Sequence, residues 1–167
     1  ILYRMNAQSN ALEYAMKRNG IPYRVIGGTR FFDRAEIKDM LSYLCVINNR
    51  SDNLRLHRII NNPPRGLGPK TIEMADRLAQ AGGKPLYCVI SAPYAYAPLE
   101  KNTEKFLEFA GMIEDLDGLL KNGMSLPEFY DQVVERTGYA DMLTAKDTEE
   151  NKTRLENVRE LKSSIHS

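Results

Sequence analysis

GGTRFFDRAEIKD, residues 27–39, decides how the rest of the chain reads. Gly27 and Gly28 tolerate backbone angles that side-chained residues avoid, so they suit a point where one element ends and the chain swings into the next. Asp33 and Glu36 stand three apart, the spacing of a capping box, and put carboxylates at the positive end of a helix that begins there. From that start Ile37, Met40, Leu41, Leu44 and Ile47 recur at intervals of three and four, one apolar stripe along a helix from Ala35 to Ile47. The stretch reads as a hinge in which Gly27, Gly28, Asp33 and Arg34 join a short leading part to a helical body.

Upstream of it, Ile1 to Tyr3 read as the end of a strand. Ser9 to Asn19 read as a helix with Leu12, Ala15 and Met16 at helical spacing, ended by Asn19 and Gly20. Pro22 to Ile26 alternate like a strand. Downstream, Leu54 to Ile60 carry Leu56, Ile59 and Ile60, and Pro69 opens a helix to Ala81 from a first-turn position where no amide donor is missed. Leu86 to Ser91 make a short helix, followed by a loop with Tyr94 and Tyr96. Phe106, Phe109, Ile113, Leu116 and Leu120 define a long amphipathic helix. Ser125 and Glu128 bracket Pro127 as a second capping box, and the helix they open carries Phe129, Val133 and Val134. A last helix runs from Glu149 to Ser164, with Leu155, Val158, Leu161 and Ile165 inward. The expected fold class is mainly α: a small α/β fragment over residues 1–31, then an all-helical domain over residues 32–167.

No window approaches the roughly 18 uninterrupted apolar residues of a membrane helix, and no signal peptide opens the chain. The sequence thus predicts a cytoplasmic protein with no membrane partner. Cys45 and Cys88 both lie among apolar neighbours and are expected to be buried thiols. Together with His57 and His166 they have no metal-ligand spacing, so no metal site is expected. Ile1 falls inside an apolar run and the last helix stops at His166 and Ser167 without a cap, which reads as a segment of a longer chain. The net charge of +1 conceals a split: residues 1–70 hold 12 Lys and Arg against 5 acids, and the remainder holds 11 against 17. A basic first half points to a polyanion.

NNPPRGLGPKT, residues 61–71, is the place to receive one. A Gly-x-Gly turn entering a helix leaves backbone amides free, and the helix start adds partial positive charge. Arg65 and Lys70 flank the turn, so a phosphate could take donors from Gly66, Leu67 and Gly68 and a charge from either side, with Thr71 closing the site. Such contacts position a nucleic acid without reading its bases.

Three stretches carry a family resemblance: ILYRMNAQSNALEYAMKRNGIPYRVIGG, LSYLCVINNRSDNLRLHRIINNPPRGLGPKT and, more weakly, ERTGYADMLTAKDTEENKTRLENVRELKSSI. Together they resemble the superfamily 1 DNA helicases of the UvrD, PcrA and Rep type, over the end of one part of RecA-like (P-loop NTPase) subdomain 2A and most of the inserted helical subdomain 2B. The resemblance implies that residues 1–31 belong to 2A and 32–167 to a C-terminally truncated 2B. It implies that Arg4 and Asn6 line the single-stranded DNA path and that Gly66 to Thr71 hold duplex. Met5 and Asn10 depart from the Thr and Arg common in the family, which leaves contacts at those two positions in doubt. The parent would be an ATP-dependent 3′ to 5′ helicase using ATP and Mg2+. The GxxxxGK[ST] loop that such chemistry needs is not in this sequence, so the segment is expected to carry no catalytic residue and no cofactor of its own. It would grip duplex at a single-strand junction and swing as a regulatory unit, with a repair or transcription protein as a further partner. A helical protein-docking module and the helicase subunit of a helicase-nuclease complex are the alternatives.

Overall fold

The computed structural model describes residues 8–25 and 30–165. The described residues form α1 (Ser9–Arg18), α2 (Ala35–Asn48), α3 (Asn53–Ile59), α4 (Pro69–Ala81) and α5 (Leu86–Ile90), then α6 (Thr103–Lys121), α7 (Leu126–Arg136), α8 (Tyr139–Thr144) and α9 (Glu149–Leu161). Short 3-10 turns precede α2 at Phe31–Asp33, fill Pro93–Ala95 and Ala97–Asn102, and extend α9 through Lys162–Ile165. No helix among them is long and apolar enough to cross a membrane. The fold is mainly α, as the periodicity indicates.

α2 is the central post. It packs against α3, α6, α7 and α9, which explains why its buried set, Ile37, Met40, Tyr43, Val46 and Ile47, is wider than one stripe. Leu41 and Leu44, expected inward, are only partly buried, and Tyr43 and Val46 take their places. Even acids on this helix are buried. Asp39 accepts from Arg58 Nε at 2.6 Å, from Asn62 Nδ2 at 2.9 Å and from the Tyr139 hydroxyl at 2.6 Å. One carboxylate thereby ties α3, the turn after it and α8 to the post, with its desolvation offset by three donors. Burial, and then the bond to Asp39, push the Tyr139 hydroxyl far above its usual range.

Several sequence expectations are corrected. Residues 21–25 form no strand: they fold back on α1 instead, the Ile21 amide donating to the Met16 carbonyl at 2.9 Å and the Tyr23 hydroxyl to Glu13 Oε2 at 3.2 Å. The α/β character expected of residues 1–31 is therefore not seen among the described residues, and Ile1 to Tyr3 and Ile26 lie outside them. α1 faces the other way from its apolar pattern: Ser9, Asn10 and Glu13 are buried, whereas Ala15 is exposed and Leu12 and Met16 are half-covered. Neither capping box forms. Glu36 is drawn into the interior to accept from Asn157 Nδ2 at 2.6 Å, and the N-cap of α2 is Arg34. The Ser125 hydroxyl donates to the Glu128 carboxylate at 2.6 Å instead of accepting from an amide. Cys88 is exposed because on five-residue α5 the four residues around it, Leu86, Tyr87, Val89 and Ile90, are the ones that turn inward. Cys45 is half-buried.

Candidate nucleic-acid interface

The segment between α3 and α4 leaves the body and returns to it within a few residues, and three side chains shape it. Leu67, fully buried, plugs the core. Asn61 Oδ1 accepts from the Arg65 amide at 2.7 Å and the Leu67 amide at 3.3 Å, pinning the turn from inside. The Arg65 guanidinium donates to the Ile59 carbonyl at 2.9 Å, the Pro63 carbonyl at 3.1 Å, the Tyr43 hydroxyl at 2.7 Å and the Thr137 carbonyl at 3.1 Å. Its Cζ also lies over the Phe109 ring, 5.1 Å from the centroid. Arg65 is thus a bolt between the turn, α2, α6 and the end of α7, with its donors aimed at internal oxygens. This corrects the expectation of a free cation at that position, and the buried side chain of Leu67 with its occupied amide corrects the expectation of a donor there. The Tyr43 hydroxyl in turn donates to the Asn62 carbonyl at 2.8 Å, and burial pushes it up to about 12 against the pull of Arg65.

What stays open is the outer edge. Gly66 and Gly68 are exposed, and their amides, with that of Lys70 in the first turn of α4, have no acceptor among the described residues. The Thr71 and Ile72 amides fold back onto the Gly68 carbonyl at 3.0 and 3.2 Å, so Thr71 closes the turn by its backbone. The Lys70 side chain is exposed and has no partner among the described residues. A second lysine arrives from α6: Lys105 Nζ donates to the Gly66 carbonyl at 2.9 Å. Lys105 is 39 residues away in sequence, and nothing in its local pattern marked it.

The two glycines differ. Gly66 has φ +70°, and a Cβ there would meet Lys105 Nζ at 2.8 Å, so the backbone itself calls for glycine. Gly68 has φ −68° and ψ 160°, ordinary angles, and a Cβ would meet no atom within 4 Å. Among the described residues, what favours glycine at Gly68 is its N-cap position at the start of α4, not crowding or a positive φ.

The rest of the basic half is largely spent on the fold. Arg50 bridges to Glu114 at 3.1 Å and Asp117 at 3.2 Å and also caps the Ile47 carbonyl; Arg58 is held by Asp39. Arg55 pairs with Asp52, and His57 meets Asp76 at 2.9 Å across α3 and α4. The charge split therefore overstates the free positive surface, and Lys70 with Lys105 is the part gathered at the open turn. Tyr94 is exposed, whereas Tyr96 is half-covered and receives Lys84 Nζ at 3.2 Å. Of the other sites expected from sequence, Arg4, Asn6, Gly27 and Gly28 lie outside the described residues. Asp33 ends the 3-10 turn before α2 and sits 3.6 Å from Lys38 Nζ, and Arg34 caps α2 and reaches both α1 and α9.

A family-wide signature, the UvrD-like helicase C-terminal domain, matches residues 1–167. The chain belongs to that family. Among similar proteins, an ATP-dependent DNA helicase PcrA of Staphylococcus epidermidis is 39% identical over 165 residues, covering 98% of this chain. An ATP-dependent DNA helicase PcrA of Staphylococcus aureus is 38% identical over the same length. The chain spans 22% of each of these relatives. The UvrD-like assignment agrees with the resemblance carried by the three sequence stretches.

Proposed function

We propose that this chain is the duplex-engaging helical part of an ATP-dependent 3′ to 5′ DNA helicase. In this reading residues 32–167 form the inserted subdomain 2B and residues 1–31 the edge of the RecA-like subdomain 2A. ATP and Mg2+ belong to the parent enzyme's motor, which pulls a single strand past Arg4 and Asn6. The helical body holds the duplex ahead of the junction through the turn from Gly66 to Thr71, and swings about the region from Gly27 to Arg34.

One observation supports the reading: amides at Gly66, Gly68 and Lys70 stand open at a helix start, beside Lys70 and Lys105, at a turn where a Cβ on Gly68 would meet no atom within 4 Å. A phosphate fits that chemistry, since helix-start amides and ammonium groups both favour an anion. Arg65 supports the site by building the turn, and the cations that meet the ligand are Lys70 and Lys105. Contacts of this kind ignore base sequence, as unwinding of arbitrary DNA requires.

Duplex binding by the full-length protein, measured by fluorescence anisotropy across a salt series, tests it. Affinity is expected to fall steeply with salt for any duplex sequence, and Lys70→Ala to weaken it and lower the salt slope by about one. Salt-independent binding, or binding indifferent to Lys70, would point to a protein-docking role instead.

A further inference from the structure

The turn from Asn61 to Thr71 is held from behind by a buried polar chain that reaches the corner between α7 and α8. Asn62 is its link to the turn. The Asn62 Nδ2 donates to Asp39 Oδ2 at 2.9 Å, and the Asn62 carbonyl accepts from the Tyr43 hydroxyl at 2.8 Å. The same Asp39 oxygen accepts at 2.6 Å from the hydroxyl of Tyr139, which lies 100 residues away in sequence. Beside Asn62, Asn61 holds the Arg65 and Leu67 amides, so a displacement of Asn62 displaces the pin of the turn. The corner also touches the turn by a second route. Arg65 Nη2 donates both to the Tyr43 hydroxyl at 2.7 Å and to the Thr137 carbonyl at 3.1 Å, two residues before Tyr139.

We propose that Tyr139 is a positioning residue of the candidate interface: its hydroxyl aims Asp39 at Asn62 and so fixes the turn that presents the Gly66, Gly68 and Lys70 amides. This role deepens the phosphate reading above and rests on it for its ligand. Asp39 Oδ2 lies between two neutral donors, Asn62 and Tyr139, whereas Oδ1 is held by the charged Arg58 Nε at 2.6 Å. Without the hydroxyl the carboxylate turns towards the guanidinium, the stronger donor, and its grip on Asn62 slackens. Packing alone does not call for this arrangement. A buried carboxylate is costly even when paired, and apolar side chains of similar volume often serve a core as well. Asp39 and Tyr139 are 5% and 3% exposed, so the relay lies inside the helical body and is independent of what covers its outer surface. Tyr130 supplies the contrast. Its hydroxyl is as deeply buried and donates to the Val158 carbonyl at 2.7 Å, joining α7 to α9 with no described bond to the turn.

Hydrogen exchange with mass spectrometry on the full-length protein, without DNA, reads the turn directly. Tyr139→Phe is expected to speed exchange of the peptide holding the Arg65 and Leu67 amides by about fivefold or more, and Tyr130→Phe to leave that peptide unchanged. Duplex anisotropy reads the ligand side. Affinity is expected to fall by about three- to tenfold in Tyr139→Phe and to stay within about twofold in Tyr130→Phe. The salt slope should be the same in both, because no cation is removed. A tyrosine that only packs would lower the thermal midpoint in either variant and move neither the turn nor the affinity. Turn exchange untouched by Tyr139→Phe, or raised equally by Tyr130→Phe, would overturn the proposal, as would unaltered affinity in a protein whose Lys70→Ala form binds weakly. If Lys70→Ala leaves binding unaltered, it is the phosphate reading that fails, and the exchange comparison still decides the role of Tyr139.

Discussion

Gly68→Ala separates a ligand's demand for a bare backbone from the fold's. With φ −68° and ψ 160° and no atom within 4 Å of the added Cβ, alanine fits the native conformation. Reduced freedom of the unfolded chain stabilises by about 0.4–1 kcal/mol, and the weaker capping preference of alanine offsets it by a similar amount. Net stability should therefore stay within about 0.5 kcal/mol, read as an unchanged thermal midpoint. Binding should not be spared. A methyl group at the open edge holds a phosphate away from the Gly68 and Lys70 amides, and one lost bond to a charged acceptor is worth about 1.5–3 kcal/mol. Anisotropy titrations should show duplex affinity reduced by about tenfold or more. Gly66→Ala is the contrast: with φ +70° and Lys105 Nζ 2.8 Å from the new Cβ it should cost about 1–2 kcal/mol of stability. If Gly68→Ala binds duplex within about twofold of the unaltered protein, the open edge is not a phosphate seat.

Lys105→Gln, which keeps a donor for the Gly66 carbonyl and removes the charge, should lower the salt slope of duplex binding by about one without shifting the thermal midpoint. Arg65→Ala should destabilise by about 2–4 kcal/mol in chemical denaturation, because it unbolts the turn from α2, α6 and α7 and leaves carbonyls unpaired. Any loss of DNA binding in Arg65→Ala should track unfolding rather than salt. Above neutrality, burial raises Tyr43 from 10.0 to about 12 and raises Tyr87, Tyr130 and Tyr139 as well. A raised tyrosine contributes stability that is whole below its unfolded value and lost as pH climbs through its folded one. Denaturant midpoints should thus hold to about pH 10 and fall steeply towards pH 12, with tyrosinate absorbance rising in step with unfolding.

Where local chemistry is decisive, the sequence is legible: α4 begins at Pro69 and ends at Ala81 where its first-turn proline and following glycines place it. The long helix through Phe106 and the last helix through Val158 follow from their spacing. Misreadings arise where tertiary surroundings override the pattern. α2 is enclosed on most sides, so Tyr43 and Val46 join its core; α1 docks on groups that offer hydrogen bonds, so its polar side is the buried one. α8 is six residues long, too short for a period to show, and starts after Gly138 at φ +72°. At the candidate site the open turn was legible from Gly66 and Gly68 next to Pro69. The inward turn of Arg65 was not, because its acceptors come from α2 and the end of α7, and Lys105 comes from a helix that begins more than thirty residues on.

The pin at Asn61 limits what chemistry that position can hold. An amide oxygen gathers the Arg65 and Leu67 amides while adding no charge. Aspartate would accept both bonds as well or better, yet it would set a negative group in the turn whose outer edge is proposed to take an anion, shaping the turn correctly and making it repellent. Alanine would spare the charge and free the turn to collapse. If the proposed phosphate seat holds, the position favours a side chain that is a strong acceptor and neutral at once, a demand made by folding on one side and by the charge of the proposed ligand on the other.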